Sequence, residues 1–565
     1  MPDEIGDFLS IGSIVRVPLA GRRVRGYVVD IGDGDVSDLK DIRSVSGAWP
    51  SFTQATLQTL RWAANHYVAP LSVLIAKTTP PNLSRRAGLR TLPSVPPMSS
   101  PVPLLTAAGA AGKHGRATQL LAGANWHQLI RASITDVVRA GRSVMVVAPT
   151  TTEAMWLADE LSVDFGARIV EVADQSDAAL TTAWSVAAAQ PGVVVIGTAR
   201  VVWWPIARLS MVVLLEDGRR GMKERQTPSV AVGAVARRRS AIERFPVLHI
   251  GRVPTTEVVS EGIAIQKIAG RLWPLVEVID RTEEPPGGGV VTQRSRAAVA
   301  AAVRRGQRVL VFTHRRGYAP ASRCASCRQL RTCDSCDARP DPGVNCTRCG
   351  AVLGACRACG GRRFEPLGAG YGRVVEELRR VVGNDVGGAD DERPVTVGTE
   401  RDLVGLDPVD LAVAVDADGL VRGTNYRAGE DALALLARVA AAVSPGQGKR
   451  LVVQTADPGH PIFSALRRGE PEPYLRDELA VRTQLGLPPV GEVIVVVVTG
   501  TDDHSPLDGV FDGVSAFGPA AVNGRWRWLI QGPDLSGVRP QLAVAAGKFR
   551  DRGVKVRIDV DPRSL

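Results

Sequence analysis

The sequence predicts an α/β protein built from two parallel-sheet lobes. A cysteine-rich insertion interrupts the second lobe, small β-containing modules precede the first, and an α+β domain closes the chain. Three observations carry this. Apolar strands alternate with helical patterns through the middle of the sequence, which is the mark of a parallel sheet with crossover helices. All eight cysteines lie between Cys324 and Cys359, inside the second alternating block. The length of 565 residues leaves room for several domains at roughly 100–200 residues each.

The elements follow in order. Ser13–Pro18 and Arg25–Asp30 read as two strands around the Gly21-Arg22-Arg23 turn. Residues Phe52 to Tyr67 place Leu57, Leu60, Trp62, Ala63 and Tyr67 at helical spacing. Pro80 to Pro103 is a proline- and serine-rich linker. Ser143–Ala148 is an apolar strand and Thr152–Leu161 the helix after it, capped by Thr150 or Thr151. Gly192–Ile196 and Met211–Leu215 are further buried strands. The second block begins at Val309–Phe312 and resumes beyond the cysteines with Thr396-Val397, Leu411–Val415 and Leu451–Gln454. Val493–Val498 and Val554–Val560 supply strands of the last domain.

Composition excludes several classes. With 45% hydrophobic and 22% charged residues, the chain is neither disordered, collagen-like nor a coiled-coil rod. No apolar run approaches the roughly 18 residues of a membrane helix, and the acidic N-terminus has no export-signal pattern. The expectation is a soluble cytoplasmic protein with no membrane partner. The net charge of +11 permits an anionic partner. However, 61 of the 69 cations are Arg and only eight are Lys, a bias that a GC-rich coding sequence would give without any function.

The cysteines form four C-x2-C pairs: Cys324 and Cys327, Cys333 and Cys336, Cys346 and Cys349, Cys356 and Cys359. Two such pairs complete a tetrahedral site of four thiolates, so four pairs predict two zinc ions. Large apolar residues are scarce here, and metal binding would supply the folding energy. A disulfide cluster suits a cytoplasmic chain poorly, and iron–sulfur runs are spaced differently. Spacing alone leaves nested and consecutive pairing both open.

Two α/β lobes invite a search for a phosphate loop, and no G-x-x-x-x-G-K-[ST] occurs. The strand Met211–Leu215 runs into Glu216-Asp217-Gly218-Arg219 rather than Asp-Glu-x-His. A carboxylate that could hold magnesium is there, without the phosphate-stabilising charge that should accompany it.

Phe312-Thr-His-Arg-Arg-Gly-Tyr-Ala-Pro320, immediately before the cysteines, resembles a segment of the PriA family of primosomal replication-restart proteins. Gly197–Arg200 with Trp204-Pro205, Asn425–Glu430 and Val453–Pro458 are similar to it as well. So are Leu487–Pro489, Gly518-Pro519, Arg525–Trp528 and Ile558–Pro562. The resemblance runs over nearly the whole chain. It implies two helicase-like (RecA-like) lobes, a winged-helix-like module, branched or forked DNA as ligand, and primosome and replication proteins as partners at the nucleoid. It also implies nested zinc sites, one of Cys324, Cys327, Cys356 and Cys359, the other of Cys333, Cys336, Cys346 and Cys349. The domains it implies are 1–40 (a β DNA-binding domain lacking the family's first strand), 41–85 (winged-helix-like) and 86–105 (linker). They continue with 106–270 (first lobe), 271–465 (second lobe, zinc-binding insertion at 320–363) and 466–565 (C-terminal domain).

The chain departs from the family where ATP is handled. Leu120–Leu129, around Gly123, stands in place of the phosphate loop; Glu216 and Asp217 open the place of Asp-Glu-x-His. Gly251–Pro254 stands for Ser-Ala-Thr-Pro, and Ala441–Pro445 falls where the arginine finger belongs. The expectation is therefore a replication restart protein that binds forks and promotes primosome assembly without an ATP-driven helicase. The alternatives are a 3′ to 5′ helicase with a divergent ATP site, and a zinc-ribbon interaction protein outside replication. DNA contacts are expected from Arg237, Arg238 and Arg239, in the basic run from Arg219, and from Arg525 and Arg527, which share one face of an alternating strand. Trp203 and Trp204 read as core, and His127 and His314 as structural.

Overall fold

In a computed structural model, the residues described are 9–565 except 20, 33–40, 85, 87, 174, 269, 286–288, 315–320, 335–342, 347–349, 368–369, 424 and 523. The Arg315–Pro320 run, Cys336 and Cys349 lie outside the described residues. The chain divides into two compact units, one of residues 1–268 with 476–563 and 565, the other of 269–475 with 564.

The first unit is organised on a seven-stranded, all-parallel sheet. Its strands run across the sheet as Ala264–Lys267, Thr118–Leu121, Val247–Gly251, Leu209–Leu215, Ser143–Val147, Val194–Gly197 and Ile169–Val172. The central strands are mostly apolar and almost wholly buried, as a sheet with helices on both faces requires. The helix Thr151–Phe165 begins where the sequence places its cap: the Thr150 hydroxyl accepts from the Glu153 backbone N–H at 3.2 Å.

One face of this sheet packs on the helices Trp126–Arg139 and Thr151–Phe165. The other is continuous with a core that takes in Leu57 and Leu60 of the N-terminal helix Gln54–His66, and Ile494, Val496 and Phe549 near the C-terminus. The N-terminal sheet pairs Ile14–Leu19 with Arg22–Tyr27 and, on its other edge, with Ser44–Ser46. It therefore runs past residue 40, because Ser46 completes the ladder opposite Ile14. The C-terminal sheet is antiparallel, in the order Ser515–Val522, Arg525–Gly532, Glu492–Thr499, Lys555–Val560, and is backed by the helix Val538–Asp551.

The second unit carries a six-stranded parallel sheet, ordered Leu275–Asp280, Arg450–Thr455, Leu411–Ala414, Val309–Phe312, Val395–Gly398, Val386–Gly387. Between the neighbouring strands Val309–Phe312 and Val395–Gly398 the chain leaves for the cysteine-rich insertion. It departs and returns through one antiparallel ladder, Ala321–Cys324 against Phe364–Leu367. The α/β architecture with two parallel-sheet lobes is thus as the alternation predicts. Each central strand falls within one or two residues of its apolar run.

Candidate functional site

Three neighbouring strands of the first lobe, Thr118–Leu121, Val247–Gly251 and Leu209–Leu215, end side by side. The loops at such carboxyl ends are where open α/β sheets bind ligands. They carry the segments expected from the resemblance to stand in place of the phosphate loop, of Ser-Ala-Thr-Pro and of Asp-Glu-x-His. The structure brings all three together, and their chemistry is changed.

Glu216 leaves its strand in the left-handed region, with φ of 47°, a conformation that costs a non-glycine residue on the order of 1 kcal/mol or more. Its Oε1 accepts from Arg252 at 2.5 Å and its Oε2 from Arg219 at 3.2 Å. Arg219 also pairs with Glu153, whose carboxylate accepts the Thr150 hydroxyl at 2.7 Å. The side chains of Glu216, Arg219 and Arg252 are 8, 12 and 12% exposed. Two carboxylates and two guanidiniums therefore neutralise one another in a nearly dry setting. Asp217 points elsewhere, 3.5 Å from Arg237 and 3.5 Å from His249 Nδ1.

The phosphate-loop position is filled by aromatic rings. Strand and helix are joined by the short connection 122–125. The first helical residue, Trp126, packs 5.3 Å from the Trp156 ring, and the Arg252 guanidinium lies 5.8 Å over it. His127 sits edge-on to both rings. Its Nδ1 is buried with no hydrogen-bond partner among the described residues, and desolvation holds its pKa below the ordinary histidine value. A magnesium–nucleotide needs an anionic oxygen turned to the metal and cationic or N–H donors turned to the phosphates. Here the Glu216 oxygens face guanidiniums and tryptophan occupies the start of the helix. These residues do not fit that group.

The second site is built from cysteines. The thiols of Cys324, Cys327, Cys356 and Cys359 lie within 4.8 Å of one another, with Cys324–Cys359 and Cys327–Cys356 both at 3.5 Å. A tetrahedron with metal–sulfur arms of about 2.3 Å has edges of about 3.8 Å, so the four thiols fit a metal ion. The backbone N–H of Cys327, foremost, pulls the Cys324 thiol down, while, against the Gly361 N–H, its thiol neighbours push the facing Cys359 thiol up; ligation requires the thiolate form. Three knuckles repeat one backbone turn. The N–H groups of Cys324, Cys346 and Cys356 donate to Gln329, Ala351 and Gly361. Their carbonyls accept from Arg328, Gly350 and Gly360. Those last three residues have φ of 60, 77 and 71°, which is why glycine suits the position. Cys333 and Cys346 are buried; their expected co-ligands Cys336 and Cys349 lie outside the described residues. Arg331 ties the insertion together, stacked 3.9 Å over Phe364 and donating to the carbonyls of Gly343, Leu353 and Gly354.

The arginines singled out from sequence separate into two kinds. Arg239 is buried, paired with Glu243 at 2.7 Å and donating to the carbonyls of Val202 and Trp204. Arg237 pairs with Asp217 and Glu261. Arg238 is exposed and stacks over Trp62 at 5.8 Å. Arg525 and Arg527 lie on the strand whose tryptophans, Trp526 and Trp528, both meet His504 at 4.9 Å. The arginines consequently occupy the opposite face. Arg557, opposite Arg527 through Val497, joins them there, and the exposed Phe517 sits on that face of the adjoining edge strand. Trp203 and Trp204 are fully buried and cannot stack on bases. His314 lies against the backbone of Gly419, where a Cβ would stand 2.6 Å from its Cε1. Sequence reasoning missed Arg252 and Trp156, because each stands where no motif required its residue type.

Comparison with known proteins adds the following. The family model of the PriA 3′ DNA-binding domain matches residues 1–80. The probable replication restart protein PriA of Mycobacterium bovis is 27% identical over 538 residues, covering 86% of this chain and 82% of the relative. The replication restart protein PriA of Treponema pallidum is 23% identical over 634 residues, covering 98% and 95%. The solved structure of RecG bound to a three-way DNA junction overlays on 66% of this chain and 47% of its own, with a TM-score of 0.36 and 13% identity.

Proposed function

The chain belongs to the PriA family of replication restart proteins, and from that membership we propose that it binds stalled or branched fork DNA and promotes primosome assembly as a scaffold. It does so at the nucleoid, in the cytoplasm, without an ATP-driven motor of its own. The observation that carries the scaffold reading is the ion-pair lattice of Glu153, Arg219, Glu216 and Arg252. A motor needs a carboxylate turned to magnesium and cations turned to the charge that develops on the transferred phosphoryl group. In this chain the charges satisfy each other.

DNA is held, in this reading, by residues 1–80 and by arginines at the surface. Arg525 and Arg527, with Arg557 beside them, present a cationic face to the phosphate backbone, and Arg238 adds a contact on the first lobe. The insertion binds two zinc ions, one at Cys324, Cys327, Cys356 and Cys359, the second at Cys333, Cys336, Cys346 and Cys349. A bound ion fixes the knuckles that a small, apolar-poor segment cannot fix alone. It leaves no open position for chemistry. The surface so ordered is available to primosome proteins.

The test is a pair of assays on one preparation. Gel-shift titrations should give tighter binding to a model fork than to linear duplex at several salt concentrations. The double variant Arg525→Glu, Arg527→Glu should flatten the log–log salt dependence by about two units. DNA-stimulated phosphate release should be absent. Equal affinity for fork and duplex would sink fork recognition. Phosphate release that disappears in Glu216→Ala would instead establish a helicase with a divergent ATP site.

A further inference from the structure

The short segment that follows the ion-pair lattice grips three parts of the first unit at once. After the turn Arg220–Met222, Lys223 runs extended and pairs with Ala231 in an isolated bridge. Its ammonium donates to Asp559 Oδ1 at 2.8 Å and to the carbonyls of Val560 and Asp561 at 2.7 Å each. All three of its N–H donors are thereby directed at the C-terminal strand Lys555–Val560 and its end. Ser229, across the same loop, donates to Asp559 Oδ1 at 2.7 Å. The next residue, Glu224, turns the other way. It pairs with Lys77, at the end of the 1–80 region, and accepts from Trp203 Nε1 at 3.3 Å. Ala231 N–H donates to the Tyr67 hydroxyl at 3.2 Å.

We propose that residues 219–231 are a clasp that fastens the N-terminal DNA-binding region and the C-terminal sheet to the first lobe as one body. Arg219 roots the clasp in the lattice with Glu153 and Glu216. Lys223 and Ser229 hold the C-terminal sheet. Glu224 and Ala231 hold the N-terminal region. Bonds of this kind, made by charged groups away from water, are the strong ones, and here adjacent residues make them in opposite directions. The spacing between the DNA-contacting modules is then set by the fold rather than by any nucleotide state. That consequence rests on the DNA-binding reading above; the clasp itself does not.

Hydrogen exchange of the full-length protein, read by mass spectrometry without DNA, tests it. Lys223→Met should speed exchange of the amides in Lys555–Val560 about tenfold, as expected for loss of charge-assisted bonds, while Ser143–Val147 stays unchanged. Glu224→Gln should do the same at Ala76–Thr78. Ser229→Ala, which removes a single neutral donor and leaves Lys223 in place, should give a smaller rise confined to Lys555–Val560. This milder change keeps the test decisive if Lys223→Met does not fold. Exchange in both segments within twofold of the parent protein would overturn the clasp. So would a uniform rise across the whole unit, since Lys223 would then contribute only general stability. No DNA enters this readout, so a failure of fork recognition and a failure of the clasp are separate results.

Discussion

Replacing Glu216 by alanine should destabilise the protein, and the sign of the effect separates a structural lattice from a catalytic carboxylate. In a working magnesium site the carboxylates repel one another, so removing one is usually neutral or stabilising to the fold. Here Glu216 is the ion-pair partner of Arg252, which is 12% exposed, and it shares Arg219 with Glu153. Removing one partner of a buried pair costs about 3–5 kcal/mol. Arg219 keeps Glu153, and Arg252 keeps the Trp126 ring, so about 2–3 kcal/mol is the fitting range. For a unit of this size that corresponds to a Tm lower by about 3–4 °C. Alanine also inherits the left-handed backbone of Glu216, with φ of 47°, and so relieves none of its strain. Differential scanning calorimetry of Glu216→Ala, with Glu216→Gln as the variant that keeps shape without charge, should give losses in that order. A Tm equal to or above the parent's would refute the lattice argument. So would a rise in the parent's Tm on adding magnesium–ATP, since a ligand stabilises only a site that accepts it.

Three further outcomes are expected. Metal analysis should return about two zinc ions per chain, and Cys324→Ala should lose one of them and keep the other. Burial, aided by Arg539, holds His66 down at about 4 against an ordinary 6.5. Acidification from 6.5 toward 4 therefore protonates the unfolded chain first and removes about 2–3 kcal/mol; His66→Asn should flatten that slope in urea midpoints taken across pH. Asp561, pushed up to about 6 by burial, has the opposite sign: its contribution is whole below 3.8 and is lost as pH rises through 6. Asp561→Asn should consequently raise stability at pH 8 and leave it unchanged at pH 3.5.

The parts legible in the sequence were those governed by local chemistry. Buried strands such as Val309–Phe312 read as apolar runs because both faces of a parallel sheet are covered. The cysteines declared themselves by spacing. The cap at Thr150 followed from a hydroxyl placed before a helical pattern. What stayed hidden depended on partners distant along the chain. Arg237, Arg238 and Arg239 form one basic run, yet only the fold shows that two of them face carboxylates and one faces solvent over Trp62. Glu216 and Arg252 are far apart in sequence, and their charges cancel only once two neighbouring strands end together. The third strand of the N-terminal sheet was likewise hidden, because Ser44–Ser46 is too short to read as a strand without Ile14–Leu19 beside it.

The ladder between Ala321–Cys324 and Phe364–Leu367 bears on how such a module can be inherited. Its two ends are held side by side, so the second lobe meets the whole insertion as though it were a short connection. The entropic cost of closing a loop grows only slowly with its length, and that cost is met once, at the ladder. Val309–Phe312 keeps its register with Val395–Gly398 whatever stands inside the ladder. The interior can therefore lengthen, exchange a knuckle or change its metal affinity without any compensating substitution in the sheet. Second lobe and insertion are thus free to diverge at different rates.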